Sequence, residues 1–455
     1  MPVPMTRQVQ RAAASETLIG GKRKFYEWHS GLGILSGLLL FIICWSGSFA
    51  AISNELDWLV TPAMRVTPSA PAADIVAIHD VVAGTKPDVE ILGIGQPLHK
   101  GFAADVIVET GDGMLRHVYV DPAMLNVTGS TSYFNLQRFF RDFHMNFFGL
   151  LGWGKYAVCI FAIPLIALLV TALFFYKRWW RRFFGLRLGK GRKAFWSSLH
   201  KTAGLWSLWF ALAIGLTGIW YLFEAGRADL IDGKFSYADA FPNAVNPLPQ
   251  LKIGATEKLA FGELMARAQE AAPELKINGV SVERGGYFYV EGETDAILVR
   301  DRANKMYLDP RDGRVVHYQT AHDLSAYWRW SHMADPIHFG TFGGLVTKFV
   351  WFAFGIFLSG LSLSGGWLHL KRLQRDGTGQ TYWRGTIGAA AAGIMIFLFC
   401  VTAAMMRMFE AGSAITAGAA AVVVVWCLTT FAICVIWLTT LMRPNKRSSK
   451  VGGKG

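Results

Sequence analysis

Six stretches of this chain run for about 20 or more mostly apolar residues, the length at which a helix crosses the hydrocarbon core of a bilayer. They fall at 29–53, 150–176, 200–223, 342–369, 386–408 and 415–441. A chain of 455 residues carrying six such runs is expected to fold as a polytopic α-helical membrane protein. Composition agrees: apolar residues make up 52% and charged residues 17%, with a mean hydropathy of +0.31. That balance excludes a disordered chain, a collagen and a small disulfide scaffold.

The formal charge of +13 reads as topology once the charges are placed. Segments 1–28, 177–201, 371–385 and 442–455 hold 23 Lys/Arg and 3 Asp/Glu, and the rest of the chain holds 22 and 29. Positive segments stay in the cytoplasm. Both termini (1–28 and 442–455) and the basic loop 177–199 are therefore expected there, with spans 1 and 2 enclosing an outer segment at 54–143 and spans 3 and 4 another at 224–340. Span 1 reads as an uncleaved anchor. No readout motif accompanies the basic residues, so nucleic acid is not expected as a partner; the lipid bilayer is. Cys44, Cys159, Cys400, Cys427 and Cys434 all lie in apolar spans and read as small buried apolar residues.

The chain is internally duplicated. Trp28-His29-Ser30-Gly31-Leu32-Gly33 opens span 1, and Leu199-His200-Lys201-Thr202-Ala203-Gly204 opens span 3. Each outer segment has a strand-like run ending in Asp-Pro, at Val118–Pro122 and Met306–Pro310. Each then closes on a histidine and a glycine-rich turn: His144 with Gly149–Gly154, and His338 with Gly340–Gly344. Two parallel repeats of helix, outer unit and helix follow, with spans 5 and 6 as extra C-terminal packing helices. Apolar spacing predicts helices at Asp74–Gly84 and Glu257–Ala272, and alternation predicts half-exposed strands at Asp105–Glu109 and Tyr287–Glu291. Each outer unit is thus a small α+β fold.

The duplication gives the histidines their meaning. His29 and His200 start spans 1 and 3 at one face, while His144 and His338 precede spans 2 and 4 at the other. Paired neutral imidazoles on facing helices are what a six-coordinate haem iron requires, so these four are the candidate axial ligands of two b-type haems. His369 and His332 are replacement candidates at the inner and outer sites. Arg138, Arg141 and Arg329 are candidates to hold haem propionates. Lys155 and Lys348, 11 and 10 residues after His144 and His338, either do the same or snorkel. Gly31, Gly33 and Gly204 would admit a porphyrin or a neighbouring helix. Trp179, Trp180, Trp328 and Trp330 fit an aromatic belt. HExxH, CxxC and Walker A motifs are absent, which argues against zinc hydrolysis, iron–sulfur clusters and nucleotide chemistry. One tension stands: His338 and His369 are 31 residues apart, roughly 46 Å if helical, against a core of about 30 Å. Either the helix bends at Gly340–Gly344 or one histidine lies beyond the core. Trp45, Trp206, Trp209 and Trp351 are the aromatic side chains that could stand between two distant haems.

Over residues 20–375 the sequence resembles the PepSY-associated transmembrane-helix proteins of bacterial inner membranes. The resemblance is carried by WHSGLG at 28–33, LHKTAG at 199–204, the two Asp-Pro units and DPIHFGTFGG at 335–344. It implies a four-helix haem-binding core of two repeats with two PepSY-like periplasmic units. It also implies a dihaem reductase that takes electrons from the cytoplasm and reduces ferric siderophores or other Fe(III) chelates outside. The donor would be a separate flavoprotein or ferredoxin, or a membrane quinol. A siderophore or small-solute permease, and a non-enzymatic PepSY-type sensor or protease-modulating protein, are the alternatives.

Overall fold

A computed structural model describes residues 7–68, 74–176, 178–187, 191–232, 248, 250–251, 258–376 and 385–442. Six helical stretches are long and apolar enough to cross a membrane: Gly21–Ala51, Gly154–Phe175, Leu208–Arg227, Thr341–Leu373, Thr386–Ala414 and Ala417–Met442. Each overlaps one expected span. The basic tail after Met442 and most of the 371–385 loop lie outside the described residues.

In chain order, α1 (Arg7–Ala51) and the short α2 (Ser53–Val60) lead into α3 (Ile75–Thr85) and strands β1 (Val89–Gly95), β2 (Ala104–Thr110), β3 (Leu115–Asp121) and β4 (Asn126–Ser132). Then come α4 (Leu136–Asn146), α5 (Gly154–Cys159), α6 (Ala162–Phe175), α7 (Arg192–Trp206) and α8 (Leu208–Asp232). The second copy continues with α9 (Phe261–Ala271), β5 (Lys276–Arg284), β6 (Tyr287–Glu293), β7 (Asn304–Leu308), β8 (Val315–Gln319), α10 (Ala326–Phe339) and α11 (Gly344–Asp376). Helices α12 (Thr386–Ala411) and α13 (Ala417–Met442) end the described chain. Helix followed by four antiparallel strands recurs in both copies, as the alternation predicts.

The two outer units are not separate. Strands β1 and β5 pair antiparallel through Gly93–Ser281, Ile94–Val280 and Gly95–Gly279, making one eight-stranded sheet in the order β4-β3-β2-β1-β5-β6-β7-β8. One face packs Val106, Val118, Val280, Phe288 and Met306 against Ile78 and Val82 of α3 and Leu264 and Ala268 of α9. Asp105–Glu109 alternates between buried and partly exposed residues as expected, whereas Tyr287–Val290 is buried on both faces. The sheet's second face carries Tyr119, Tyr289, Tyr307 and His117, all buried. It is covered by Leu248 and Leu251 on one half, while the His117 ring stacks on Tyr133, 5.3 Å away, on the other. The Asp-Pro units are the β3–β4 and β7–β8 turns, where Asp121 accepts the N–H groups of Ala123 and Met124 and Asp309 that of Arg311.

Beneath the sheet, α1 packs along α11 and against α6, and α6 packs against α8. Helices in lipid associate through close fit rather than water exclusion, so small residues mark the seams. A side chain at Gly366 would collide with the indole of Trp437 from α13, and one at Gly37 would crowd the Ser362 carbonyl of α11 at 3.3 Å. Trp426 of the same helix sits edge-on to Phe139, Phe140 and Phe143 at 5.1–5.6 Å. Spans 5 and 6 therefore back α1 and α4 from behind. By contrast α6 leaves Ile163, Val170, Leu173 and Phe174 open on its outer side, where lipid is expected.

A buried histidine ties β3 to β2 within the sheet. His117 Nδ1–H donates to both Asp105 oxygens at 2.8 and 3.0 Å. Burial opposes the imidazolium, but the Asp105 carboxylate outweighs it and holds His117 above its ordinary value. A raised folded-state value stabilises the fold fully below about pH 6.5, and that contribution fades as pH rises through the raised value. Amide exchange in β2 and β3 should accordingly quicken as pH rises above 6.5, once corrected for intrinsic base catalysis. Asp105→Asn should flatten that dependence and cost about 1 kcal/mol below pH 6.5, a modest figure because Asp105 is partly solvated. An unchanged corrected profile in the variant would rule the linkage out.

Candidate functional site

Two cavities lie inside the helical core. One, on the sheet side, is lined by His144 and His338 and has an empty volume of about 1380 Å³ including its mouth. The other, on the far side, is lined by His29, His200 and His369 and has about 1780 Å³ on the same measure. Leu40, Leu165 and Leu358 line both cavities, so one layer of leucine side chains separates them.

On the sheet side, α4 delivers His144. Its N-terminus is doubly capped: Asp57 accepts the N–H groups of Leu136 and Gln137 at 2.9 and 2.7 Å, and Asn135 accepts that of Arg138 at 2.9 Å. Its stripe of Leu136, Phe139, Phe140 and Phe143 is fully buried, which fixes the helix's rotation. His338 comes from α10, which stops at Gly340 in the left-handed conformation, φ 70°. A Cβ at Gly340 would come within 2.6 Å of the Trp351 ring. The chain thus breaks at the glycine-rich turn, and His338 is not on α11 at all.

The two rings lie with centroids 6.2 Å apart and planes inclined by 29°. His144 Nδ1 lies 3.1 Å from the Ile43 carbonyl, which can only accept, so Nδ1 carries the proton. Thr217 gives its hydroxyl proton to the Ala213 carbonyl at 2.7 Å, so its oxygen accepts from His338 Nδ1–H, also at 2.7 Å. Both Nε2 lone pairs are left without a hydrogen-bond partner among the described residues. Metal ligands are prepared this way, with the far ring nitrogen bound to a carbonyl or hydroxyl. The pair would suit a haem iron, which takes two neutral imidazoles.

His29 and His200 repeat the pattern. His29 Nδ1–H donates to the Leu168 carbonyl at 2.9 Å, with Thr171 Oγ1 at 3.2 Å. His200 Nδ1–H donates at 2.9 Å to Ser364, whose own proton goes to the Leu361 carbonyl. Their rings line one cavity but do not stack. In all four cases the supporting group belongs to the other helix of the same repeat, whereas the partner imidazole belongs to the other repeat. Among the described residues no group of three or more His, Cys, Asp or Glu could hold a bare metal ion. A macrocycle that supplies its own four nitrogens is the group these pairs suit.

The remaining candidates divide. Arg141 lines the sheet-side cavity, but Arg138 and Arg329 do not. Arg138 lies over the Tyr133 ring at 4.2 Å and donates to its hydroxyl. His332 accepts from Arg300 Nε at 2.9 Å through Nδ1, so its proton is on Nε2, the reverse of the ligand-ready rings. Burial first, then Arg300 and Arg302, hold His332 far below the usual imidazole range. Lys155 and Lys348 do not snorkel. Lys155 pairs with Asp229 at 2.7 Å, and Lys348 with Glu55 at 2.7 Å, each ion pair joining one repeat to the other. Arg302, from the β6–β7 connection, also lines the sheet-side cavity and was missed in the sequence because only the fold brings it there. Trp351 lines that cavity, whereas Trp45, Trp206 and Trp209 line neither.

Gly47 of α1 backs the His144 ring so closely that a Cβ would sit 2.6 Å from Cε1. Gly47→Ala should tilt the imidazole and shift the His144 ring resonances in NMR spectra, while the chain still folds. Unaltered His144 resonances would mean that the ring has slack the structure does not show.

A family model described as the PepSY-associated TM region matches residues 26–372, most of the chain. No curated protein matches it. The chain belongs to the PepSY-associated TM family.

Proposed function

We propose that this PepSY-associated membrane protein is a b-type dihaem oxidoreductase that carries electrons from the cytoplasmic side to the periplasm of a bacterial inner membrane and there reduces ferric siderophores or other Fe(III) chelates. The observation that carries the reading is the His144–His338 pair, 6.2 Å apart with both Nδ1 protons engaged and both Nε2 lone pairs free. His29 and His200 would hold the second haem. Held by a pair of imidazoles, haem would supply reversible one-electron chemistry suited to electron transfer more than to oxygen binding.

The chain's own contribution is positioning. Ile43, Thr217, Leu168 and Ser364 orient the four rings, and the leucine layer keeps the cavities close yet distinct. The sheet-side cavity is lined by Arg141 and Arg302, which would suit the propionates of the outer haem. Reduction loosens a ferric chelate because hard oxygen ligands hold Fe(III) better than Fe(II). Basic segments 1–28 and 177–199 support a cytoplasmic entry side, where a flavoprotein, ferredoxin or membrane quinol would be the donor.

Purified protein should show a reduced-minus-oxidised Soret and α band equivalent to two haems per chain. His144→Ala and His338→Ala should each remove the same one of them. The dithionite-reduced protein should be reoxidised by a ferric siderophore under anaerobic conditions. A folded, colourless preparation would sink the reading in favour of a permease or sensor, and haem that no Fe(III) chelate reoxidises would leave an electron carrier with another acceptor.

A further inference from the structure

Three imidazoles line the far-side cavity, where one iron offers two axial positions. Hydrogen bonding sets the third apart. His29 and His200 have given up their Nδ1 protons to oxygen acceptors, so each keeps a free Nε2 lone pair. His369 has the opposite arrangement. Its Nδ1 lies 3.4 Å from Arg372 Nη2, and a guanidinium donates in every accessible protonation state. Its ring proton is therefore on Nε2, which is buried and without an acceptor among the described residues, on a side chain only 7% exposed. Buried N–H donors almost always have a partner, so an orphan beside a ligand-sized cavity points to an acceptor on the ligand.

The surroundings define that acceptor. Arg372 lies over the Tyr26 ring at 4.7 Å, and with Lys193 and Lys201 it lines the same cavity as His369. A neutral N–H donor beside a fixed guanidinium, with two ammonium groups nearby and no acid lining the cavity, suits a carboxylate. Resting on the haem reading above, we infer that His369 and Arg372 form a two-point carboxylate site that grips a propionate of the haem held by His29 and His200. His369 is thus a positioning residue and not a replacement axial ligand.

The test uses the full-length holoprotein carrying His369→Leu, His369→Gln or Arg372→Gln, with haem content, low-spin spectra and both midpoint potentials measured. All three variants should keep two six-coordinate haems. In His369→Leu and Arg372→Gln one potential should fall by about 59 mV, a tenfold change in the reduced-to-oxidised ratio, because an unneutralised propionate favours the ferric state. His369→Gln, which keeps an N–H donor, should restore much of that shift. Loss of a haem or its conversion to high spin in either His369 variant would make His369 a ligand and overturn the inference. So would potentials unchanged in all three. A wild-type preparation without pigment overturns the haem reading itself, and is seen before any variant is made.

Discussion

An imidazole buried among membrane helices must do something with both of its nitrogens, and the core of this protein follows from how four rings solve that problem. Each donates Nδ1–H to an oxygen on the companion helix of its own repeat: Leu168, Ser364, Ile43 or Thr217. Each of these rings lines a cavity and keeps its Nε2 free of any hydrogen bond among the described residues. A group held by two such lone pairs at once, as the proposed haem would be, would bridge the two repeats.

The duplication then distributes the work. Hydrogen bonds that orient the rings stay within a repeat, so each half carries a preassembled ligand. Contacts that set the distance between halves cross the axis: Lys155 with Asp229, Lys348 with Glu55, and β1 with β5 in the shared sheet. The Glu55 carboxylate also accepts from His99 Nε2 at 3.0 Å, tying the loop between β1 and β2 to the top of α11. Buried ion pairs are poor sources of net stability but are unforgiving of mispairing, which suits a device whose task is to hold two rings in register.

Periodicity and repetition made much of this legible. Apolar runs located all six spans, and the repeated histidines led to rings that share cavities in the fold. What escaped was long-range. Nothing in Val89–Gly95 or Lys276–Arg284 announces that these strands meet at an edge, because pairing depends on how the two units rest on the helices. Asp229 and Glu55 lie 74 and 293 residues from their lysines, so those lysines read equally well as snorkelling. Arg302 was invisible beside the more suggestive Arg138 and Arg329. The two rival histidines looked the same as the ligands until Arg300 and Arg372 fixed their protons.

The separation of the two sites is the last point, because residue counting made it look prohibitive. His338 and His369 are 31 residues apart, and a continuous helix of that length would outreach the bilayer core. Neither end of that ruler applies. His338 is on α10, folded back at Gly340, and His369 carries the tautomer of a donor and not of a ligand. The ligand-ready rings line cavities that share Leu40, Leu165 and Leu358 as a common wall. One layer of aliphatic side chains therefore stands between the two sites, far less than the residue count implies. Trp351, the one tryptophan of the four considered that reaches a cavity, uses its indole N–H to hold the Ile337 carbonyl at 2.9 Å. Its role is to brace the turn that presents His338.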